Sequence, residues 1–366
     1  MKNNSDARSR IVRMRLFHQQ ILGTQHASPV DVVRHLGAMQ AQDYAGAKWS
    51  VALRLESATD ADVESAIARR EIVRTWPQRG TLHFVAAGDI RWMLELLAPR
   101  TIAGSARRNQ RLEIDAAVLK TAFRTLEKTL EGGRIVARPD VMQAFEEAGI
   151  STANNRGYHL LWQAALARLI CFGPLKGKQH SFVLLDEWLP EANHGLSREE
   201  MLSRIAARYF TSRGPATLKD FIWWSGLTAG EARQAVHLAG RSLVQETIDG
   251  TDYLLSSNAS EPPAGPIEAL LLPGFDEYLL GYADRSAVLD PAFAQKIVPG
   301  SNGMFLSTIV IDGRVEGVWK KAMKKKEGVI TLEPFRALTK KELGALSLPA
   351  RRFSTYCGLS YAIQPQ

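Results

Sequence analysis

The sequence predicts an α+β protein, predominantly helical, in which three tandem winged-helix (helix-turn-helix) units precede a β-rich C-terminal segment. A pattern of three helices and a hairpin occurs twice in the middle of the chain, and a looser copy precedes it. Strand-forming residues dominate after a linker at residues 256–266 that is rich in Ser, Pro and Gly. We expect the three units at residues 1–114, 115–195 and 196–258, and the C-terminal segment at residues 259–366.

The clearest copy of the pattern is the second. Apolar residues at helical spacing predict an amphipathic helix over Ala116–Glu131. Pro139 can begin a second helix, and Ser151 can cap a third. The apolar segments Leu169–Phe172 and Phe182–Leu185 then predict a hairpin. Three helices and a hairpin, in this order, are typical of a winged-helix unit.

The other two copies follow the same order. In the third copy, helices are predicted over Arg198–Ser212 and Glu231–Leu238, with a hairpin that turns at Asp249-Gly250. In the first copy, Ser28 and Pro29 can begin a helix, and strands from Ile72 to Trp76 and from Thr81 to Val85 predict a hairpin.

The C-terminal segment is predicted to form a sheet. Its strands are expected at Ala269–Leu272, Phe305–Ile311, Arg314–Trp319 and Val329–Leu332. Asp312-Gly313 is a strong two-residue hairpin signal between two of these strands.

The chain is moderately basic, with 46 Lys and Arg against 38 Asp and Glu and a formal net charge of +8. This excess suits a polyanionic partner, and it also suits a basic enzyme, so charge alone leaves both classes open. Cys171 and Cys357 are the two cysteines, which argues against a disulfide framework or a thiolate metal cluster. No secretion signal or membrane span is visible, and a cytoplasmic location is expected.

The standard catalytic signatures are missing from the sequence. There is no Walker loop, dinucleotide glycine fingerprint, nucleophile elbow or metalloprotease helix. The eight histidines lack the spacing of metal ligands. We therefore expect neither a metal, nor a nucleotide cofactor, nor any other cofactor.

Trp319 and the run of lysines that follows it are candidate contacts for nucleic acid. The run contains Lys320, Lys321, Lys324 and Lys325. Such side chains can neutralise phosphates and release counterions, although a solvated loop would have the same composition. The surrounding fold favours phosphate contact.

Four stretches resemble the AlkZ/YcaQ-type winged-helix DNA glycosylases: Met39–Gln42, Arg79–Phe84, Leu272–Tyr282 and Asp312–Trp319. They are spread over nearly the whole chain. The resemblance implies that the three units form a C with a basic concave channel for duplex DNA. It also implies removal of N7-alkylated purines, including cross-linked ones, by cleavage of the N-glycosidic bond.

The catalytic motif of that family is Gln, an apolar residue and then Gln or Asp, which Gln40-Ala41-Gln42 matches. The resemblance makes Gln40 and Gln42 the candidate catalytic residues. An N7-alkylated purine is a cationic leaving group that needs little acid catalysis, so two carboxamides can suffice to orient a water and stabilise an oxocarbenium-like sugar. Judged on local sequence alone, the pair is more typical of two solvent-facing amides in a loop or at a helix end, and only the resemblance favours a catalytic role.

Other residues are candidates for contact with DNA. Arg79 and Arg314 lie at hairpin turns that could wedge the duplex beside a lesion. His83 could either orient the first hairpin or touch DNA.

Our leading hypothesis is a monomeric, monofunctional DNA glycosylase, associated with the nucleoid, that acts on double-stranded DNA with alkylated bases. No lysine stands out as a Schiff-base nucleophile, so strand cleavage by the enzyme is not expected. The alternative is a non-catalytic winged-helix DNA-binding protein or transcriptional regulator.

Overall fold

The computed structural model describes residues 2–23, 26–190, 195–301, 303–324 and 327–365. The chain divides into two compact units. The terminal unit comprises Met1–Val63 and Leu202–Gln366, and the central unit comprises Glu64–Met201. This two-part division differs from the four consecutive segments expected from the sequence, because residues from both ends of the chain share one unit.

The N-terminal part of the terminal unit is mostly helical. Its elements are α1 (Lys2–His18), α2 (Pro29–Leu36), β1 (Ala38–Gln40) and α3 (Tyr44–Ala52), and α4 (Asp60–Ala68) spans the division between the units. Ser28 caps α2 as expected, since its hydroxyl accepts a hydrogen bond from the Asp31 amide. Helix α3 was not predicted. Its residues from Gly46 to Ala52 are all buried, so the segment lacks the amphipathic period that reveals a surface helix.

The central unit combines helices with a small sheet. Its elements are β2 (Ile72–Gln78), β3 (Thr81–Ala86), α5 (Ile90–Gly104), α6 (Ala106–Arg111), α7 (Ala116–Leu130), β4 (Val136–Ala137), α8 (Arg138–Glu147), α9 (Arg156–Leu166), β5 (Ile170–Lys176), β6 (Gln179–Leu184) and α10 (Leu185–Trp188). Within this unit the strand order is β3-β2-β5-β6-β4.

The order from α7 to β6 confirms the predicted succession of three helices and a hairpin. Helix α7 buries Ala122, Leu126 and Leu130 at intervals of four residues, which is the apolar stripe read from the sequence. The predicted cap at Ser151 is wrong. Helix α9 begins at Arg156, after Asn155 in a left-handed conformation with φ of 63°.

The C-terminal part of the terminal unit begins with three helices and a hairpin. These are α11 (Arg198–Arg213), which spans the division between units, α12 (Leu218–Ser225), α13 (Ala229–Ala239), β7 (Leu243–Ile248) and β8 (Thr251–Ser256). The turn of the hairpin has φ of 49° at Asp249 and 76° at Gly250, as the Asp-Gly signal predicted.

A five-stranded sheet and short helices complete the terminal unit. They are β9 (Leu270–Leu272), α14 (Glu277–Leu280), α15 (Ala294–Ile297), β10 (Thr308–Ile311), β11 (Arg314–Lys324), β12 (Glu327–Pro334), α16 (Lys340–Ala345), α17 (Ser347–Cys357) and β13 (Tyr361–Pro365). The strand order is β13-β12-β11-β10-β9. Strand β11 runs five residues beyond the predicted end at Trp319, so the lysine run continues a strand instead of forming a loop.

The molecule is thus an α+β protein in which one terminal unit contains both the Gln40-Ala41-Gln42 motif and the C-terminal sheet. Among the described residues, no helix is long and apolar enough to span a membrane.

Candidate active site

The glutamine motif lies where the short strand β1 leads into α3. Gln40 ends the strand and is 9% exposed, Ala41 is fully buried, and Gln42 is exposed. Neither carboxamide forms a hydrogen bond with a residue that the structure describes. Two amide groups are therefore available to solvent or to a ligand at this place.

The backbone of β1 is held by a buried ion pair between Arg213 of α11 and Glu277 of α14. The guanidinium donates to the carbonyl of Leu36 at 2.8 Å and to that of Ala38 at 3.1 Å. The amide of Gln40 donates to Oε1 of Glu277 at 3.1 Å. Since Arg213 also donates to Oε2 of Glu277 at 2.5 Å, one ion pair binds the last carbonyl of α2 together with a carbonyl and an amide of the strand.

Other contacts satisfy the two buried charges. The Trp224 indole donates to Oε2 of Glu277 at 3.2 Å, and the Arg213 guanidinium lies 4.5 Å from the centre of the Trp224 ring. A buried ion pair is tolerated only when such additional partners offset desolvation. The pair is thus a built-in part of the unit and not a chance contact.

A second buried ion pair joins Arg54 to Asp276, the residue that precedes Glu277. Arg54 donates from Nη1 and Nη2 to the two carboxylate oxygens of Asp276, each at 2.9 Å. Ser50 of α3 donates to the same carboxylate at 2.6 Å, and the Tyr278 amide donates to it at 2.9 Å. Burial raises the pKa of Asp276, but the charge of Arg54 and these hydrogen bonds outweigh it and hold the pKa below its usual value.

Asp276 and Glu277 therefore diverge, as adjacent carboxylates are expected to do, and each supports one side of the motif. Glu277 fixes the strand that ends at Gln40, and Asp276 fixes the helix that follows Gln42. The two carboxamides project from a backbone that is held on both sides. Preorganised groups of this kind can position a water or a substrate without reorganising.

The motif and both ion pairs lie in a part of the chain that matches a known protein family. The sequence model of the DNA glycosylase AlkZ-like family matches residues 33–356, which include the motif and both ion pairs. The chain belongs to the AlkZ-like DNA glycosylase family. This confirms the family that the sequence resembled.

A relative in sequence and a solved structure, both from Streptomyces sahachiroi, are similar to this chain. One, named an interstrand DNA cross-link repair glycosylase, is 28% identical over 316 residues, which are 80% of this chain and 82% of that protein. The solved structure of the DNA glycosylase AlkZ covers 98% of this chain and 99% of its own, with a TM-score of 0.82 and 23% identity. The second likeness shows that this family member has the α+β fold of AlkZ.

Two residues expected near DNA in this glycosylase have structural positions instead. Trp319 is 4% exposed, its indole donates to the Leu272 carbonyl at 2.8 Å, and its ring packs edge-on against Phe353. His83 is fully buried, and its Nδ1 lies 2.9 Å from the Thr81 carbonyl. The buried position of Trp319 shows that its ring is not part of the exposed lysine surface with which it was grouped. For His83 the structure favours the orienting role.

The two hairpin turns expected to wedge DNA are packed against protein. The Trp162 indole donates to the carbonyl of Gly80, which is next to Arg79, at 3.2 Å. The Tyr278 hydroxyl donates to the carbonyl of Gly313, which precedes Arg314, at 2.6 Å. Both turns are anchored to protein, while Arg79 and Arg314 beside them are partly exposed, so contact of these arginines with DNA stays a prediction.

The lysines of β11 fit the predicted contact with phosphate more closely. Lys320 and Lys321 are exposed, and Lys320 lies 2.6 Å from Glu333 on the neighbouring strand β12. Lys324 ends the strand, and Lys325 lies outside the described residues.

A basic helix in the central unit was not predicted from the sequence. Helix α6 carries Arg107, Arg108 and Arg111, all exposed, and no described carboxylate pairs with any of them. Asn109 anchors the helix through Gln163, which donates to it at 2.9 Å. The signal was present in the sequence, since residues 100–112 contain four arginines and no acidic residue.

Proposed function

We propose that this protein is a monofunctional DNA glycosylase that hydrolyses the N-glycosidic bond of N7-alkylated purines in double-stranded DNA. We extend the proposal to purines in interstrand cross-links. Membership of the AlkZ-like family supports the reaction class, and the name of the Streptomyces relative supports the cross-linked substrate.

The observation that carries the proposal is the pair of uncommitted carboxamides at Gln40 and Gln42. A carboxamide cannot accept a proton usefully near neutral pH, but its oxygen can accept a hydrogen bond from water and its nitrogen can donate one. The cationic N7-alkylpurine departs without strong acid assistance. The two glutamines then need only orient the attacking water and stabilise the developing oxocarbenium ion.

The contacts of Lys48 support a reaction without a lyase step. Lys48 is the lysine nearest to the motif in sequence, and its side chain is buried with Nζ 2.8 Å from Asp60. A buried lysine whose nitrogen is held by a carboxylate is poorly placed to attack a sugar carbon. We therefore expect the product to be an abasic site in an intact strand.

The binding of duplex DNA is assigned to the repeated helical units and to two basic surfaces. The segments α7–β6 and α11–β8 have the element order of winged-helix units, and we propose that they and the N-terminal segment act as such. The arginines of α6 and the lysines of β11 would neutralise phosphates.

Release of the base tests the proposal directly. Purified protein is incubated with a duplex that carries one 7-methylguanine, and with a duplex cross-linked by a nitrogen mustard. We expect released base and alkali-sensitive abasic sites with the wild type. Gln40→Ala combined with Gln42→Ala should abolish release while duplex binding is retained.

The control is Gln143→Ala, which removes an exposed amide from α8. No release by the wild type, or full activity of the double variant, would contradict the proposed mechanism. Duplex binding by a wild type that releases no base would instead favour the non-catalytic DNA-binding protein.

A further inference from the structure

A pocket of about 220 Å³ lies in the terminal unit beside the start of α3. Its aromatic walls are Trp49, Trp319 and Phe353, and the Phe353 ring packs edge-on against both indoles with centroids 5.2 and 5.3 Å apart. Both indole N–H groups donate to carbonyls of β9, which fixes the rings. The volume is below the roughly 300–1,000 Å³ of pockets for drug-sized ligands, so it suits one planar ring system.

The polar lining of the pocket includes Asp43, the residue after Gln42. Asp43 stands at the N-cap of α3, yet its carboxylate caps no amide. This carboxylate has no hydrogen bond or ion pair with a described residue. Gly46 leaves room for it, because a Cβ there would lie 2.5 Å from Oδ2 of Asp43. An uncommitted carboxylate therefore faces an aromatic-walled pocket directly beside the glutamine motif.

The other two charged groups at the pocket, Lys320 and Lys321, have the opposite sign, and Lys320 is paired with Glu333. Lys321 lines the pocket, with its Nζ 5.1 Å from the centre of the Phe353 ring. A carboxylate can only accept hydrogen bonds, and an ammonium can only donate them. Guanine presents two adjacent N–H donors, at N1 and at the exocyclic N2, next to the acceptor O6. Adenine and cytosine place an acceptor beside a single amino group, and they fit this combination less well.

We propose that this pocket receives the base of an N7-alkylated guanine, with Asp43 accepting from its N1 and N2 and Lys321 donating to its O6. This inference rests on the proposed glycosylase function and adds a specificity residue to it. The aromatic walls provide the apolar contact that extrahelical bases find in enzymes that read them outside the duplex. The positive charge of the alkylated base adds attraction to the carboxylate.

The position of Asp43 links recognition to hydrolysis. Asp43 follows Gln42 in the chain, so the proposed base-binding carboxylate and the proposed hydrolytic carboxamide are carried by consecutive residues. A guanine that is cross-linked to the opposite strand cannot leave the duplex freely. The pocket therefore serves monoadducts, and unhooking of cross-links is expected to depend less on Asp43.

The first test measures binding of the free base, which does not depend on turnover. Quenching of tryptophan fluorescence is followed during titration with 7-methylguanine and, separately, with 3-methyladenine. We expect saturable quenching by 7-methylguanine alone. Asp43→Asn and Gly46→Ala should weaken it, and the control Asp249→Asn, at an exposed Asp-Gly turn that also suits Asn, should not. Absence of quenching, or equal quenching in Asp43→Asn, would overturn the inference.

The second test compares the bases released from duplex DNA treated with dimethyl sulfate. Asp43→Asn should lower release of 7-methylguanine by roughly 10- to 100-fold, which corresponds to about 1–3 kcal/mol for a lost bidentate base contact. Release of 3-methyladenine should change less. An equal loss of both bases would overturn the guanine pocket in favour of a general electrostatic role. A wild type that binds 7-methylguanine but releases none would contradict the glycosylase function and leave the pocket supported.

Discussion

Arg213 and Glu277 form a buried ion pair that holds the strand carrying Gln40, although the two residues are 64 positions apart in the sequence. The guanidinium binds two carbonyls of the segment that leads to Gln40, and the carboxylate binds the Gln40 amide. The placement of the proposed catalytic amides therefore depends on a buried ion pair that holds the backbone from which they project. Stability and activity should be coupled at this pair.

The substitution Glu277→Gln is expected to destabilise the protein. It leaves the Arg213 guanidinium buried without a countercharge, and loss of one member of a buried pair typically costs about 3–5 kcal/mol. The free energy of unfolding, measured in urea, should fall by that order. Base release should fall as well, because the ion pair that positions the backbone around Gln40 is broken.

The control is Glu333→Gln, which removes the partner of Lys320 in an exposed pair. Exposed pairs contribute roughly 0–1 kcal/mol, so the urea midpoint should hardly move. Similar losses in both variants would show that burial does not set the cost at Glu277.

The pH dependence of stability should contain a contribution from His35. Its Nε2 lies 2.7 Å from the His18 carbonyl, and burial lowers the pKa of His35 from 6.5 to about 4. Between these values the unfolded chain binds a proton that the folded protein does not. Stability is therefore lost as the pH falls from 6.5 towards 4.

The variant His35→Gln should show a shallower decline across that pH range, when thermal unfolding is followed at several pH values. The matched control is His237→Gln, at an exposed position on α13. If the decline has the same slope in wild type and His35→Gln, the folded state does not hold this imidazole neutral.

The buried position of Trp319 predicts that its ring stabilises the fold, whereas the lysines that follow it in the sequence suggested contact with DNA. Trp319→Ala removes a buried ring that packs on Phe353 and should lower the free energy of unfolding by about 3–5 kcal/mol. Lys321→Gln, two residues along the same strand, changes an exposed side chain and should leave it nearly unchanged. A stable Trp319→Ala variant that binds duplex DNA poorly would restore a direct contact with DNA.

The sequence patterns predicted individual helices and turns better than they predicted which distant residues contact one another in the fold. The stripe of α7 and the turn at Asp249-Gly250 are local signals, and both are confirmed. Helix α3 is buried on nearly every side and has no such period. The pairing of Arg213 with Glu277 is a tertiary contact across 64 residues, which spacing cannot reveal.

The glutamine motif shows the same limit. Local sequence could not separate a catalytic pair from two solvated amides, because the decisive features lie elsewhere in the chain. They are the ion pairs of Asp276 and Glu277. Both carboxylates are buried, and both residues have apolar neighbours in the sequence. The lysine run was found from composition, but its strand conformation depends on pairing with β12.

The arginines of α6 should contribute to duplex binding through phosphate contacts. Arg107 and Arg111 are exposed and have no described carboxylate partner, so their charges are available to DNA. Each phosphate contact contributes about 0.9 to the slope of log K against log salt concentration. The double variant Arg107→Gln with Arg111→Gln should therefore reduce that slope by roughly 2 in a fluorescence anisotropy titration. Arg69→Gln, whose guanidinium is paired with Glu71, is the control and should keep the wild-type slope. An unchanged slope in the double variant would place α6 outside the DNA interface.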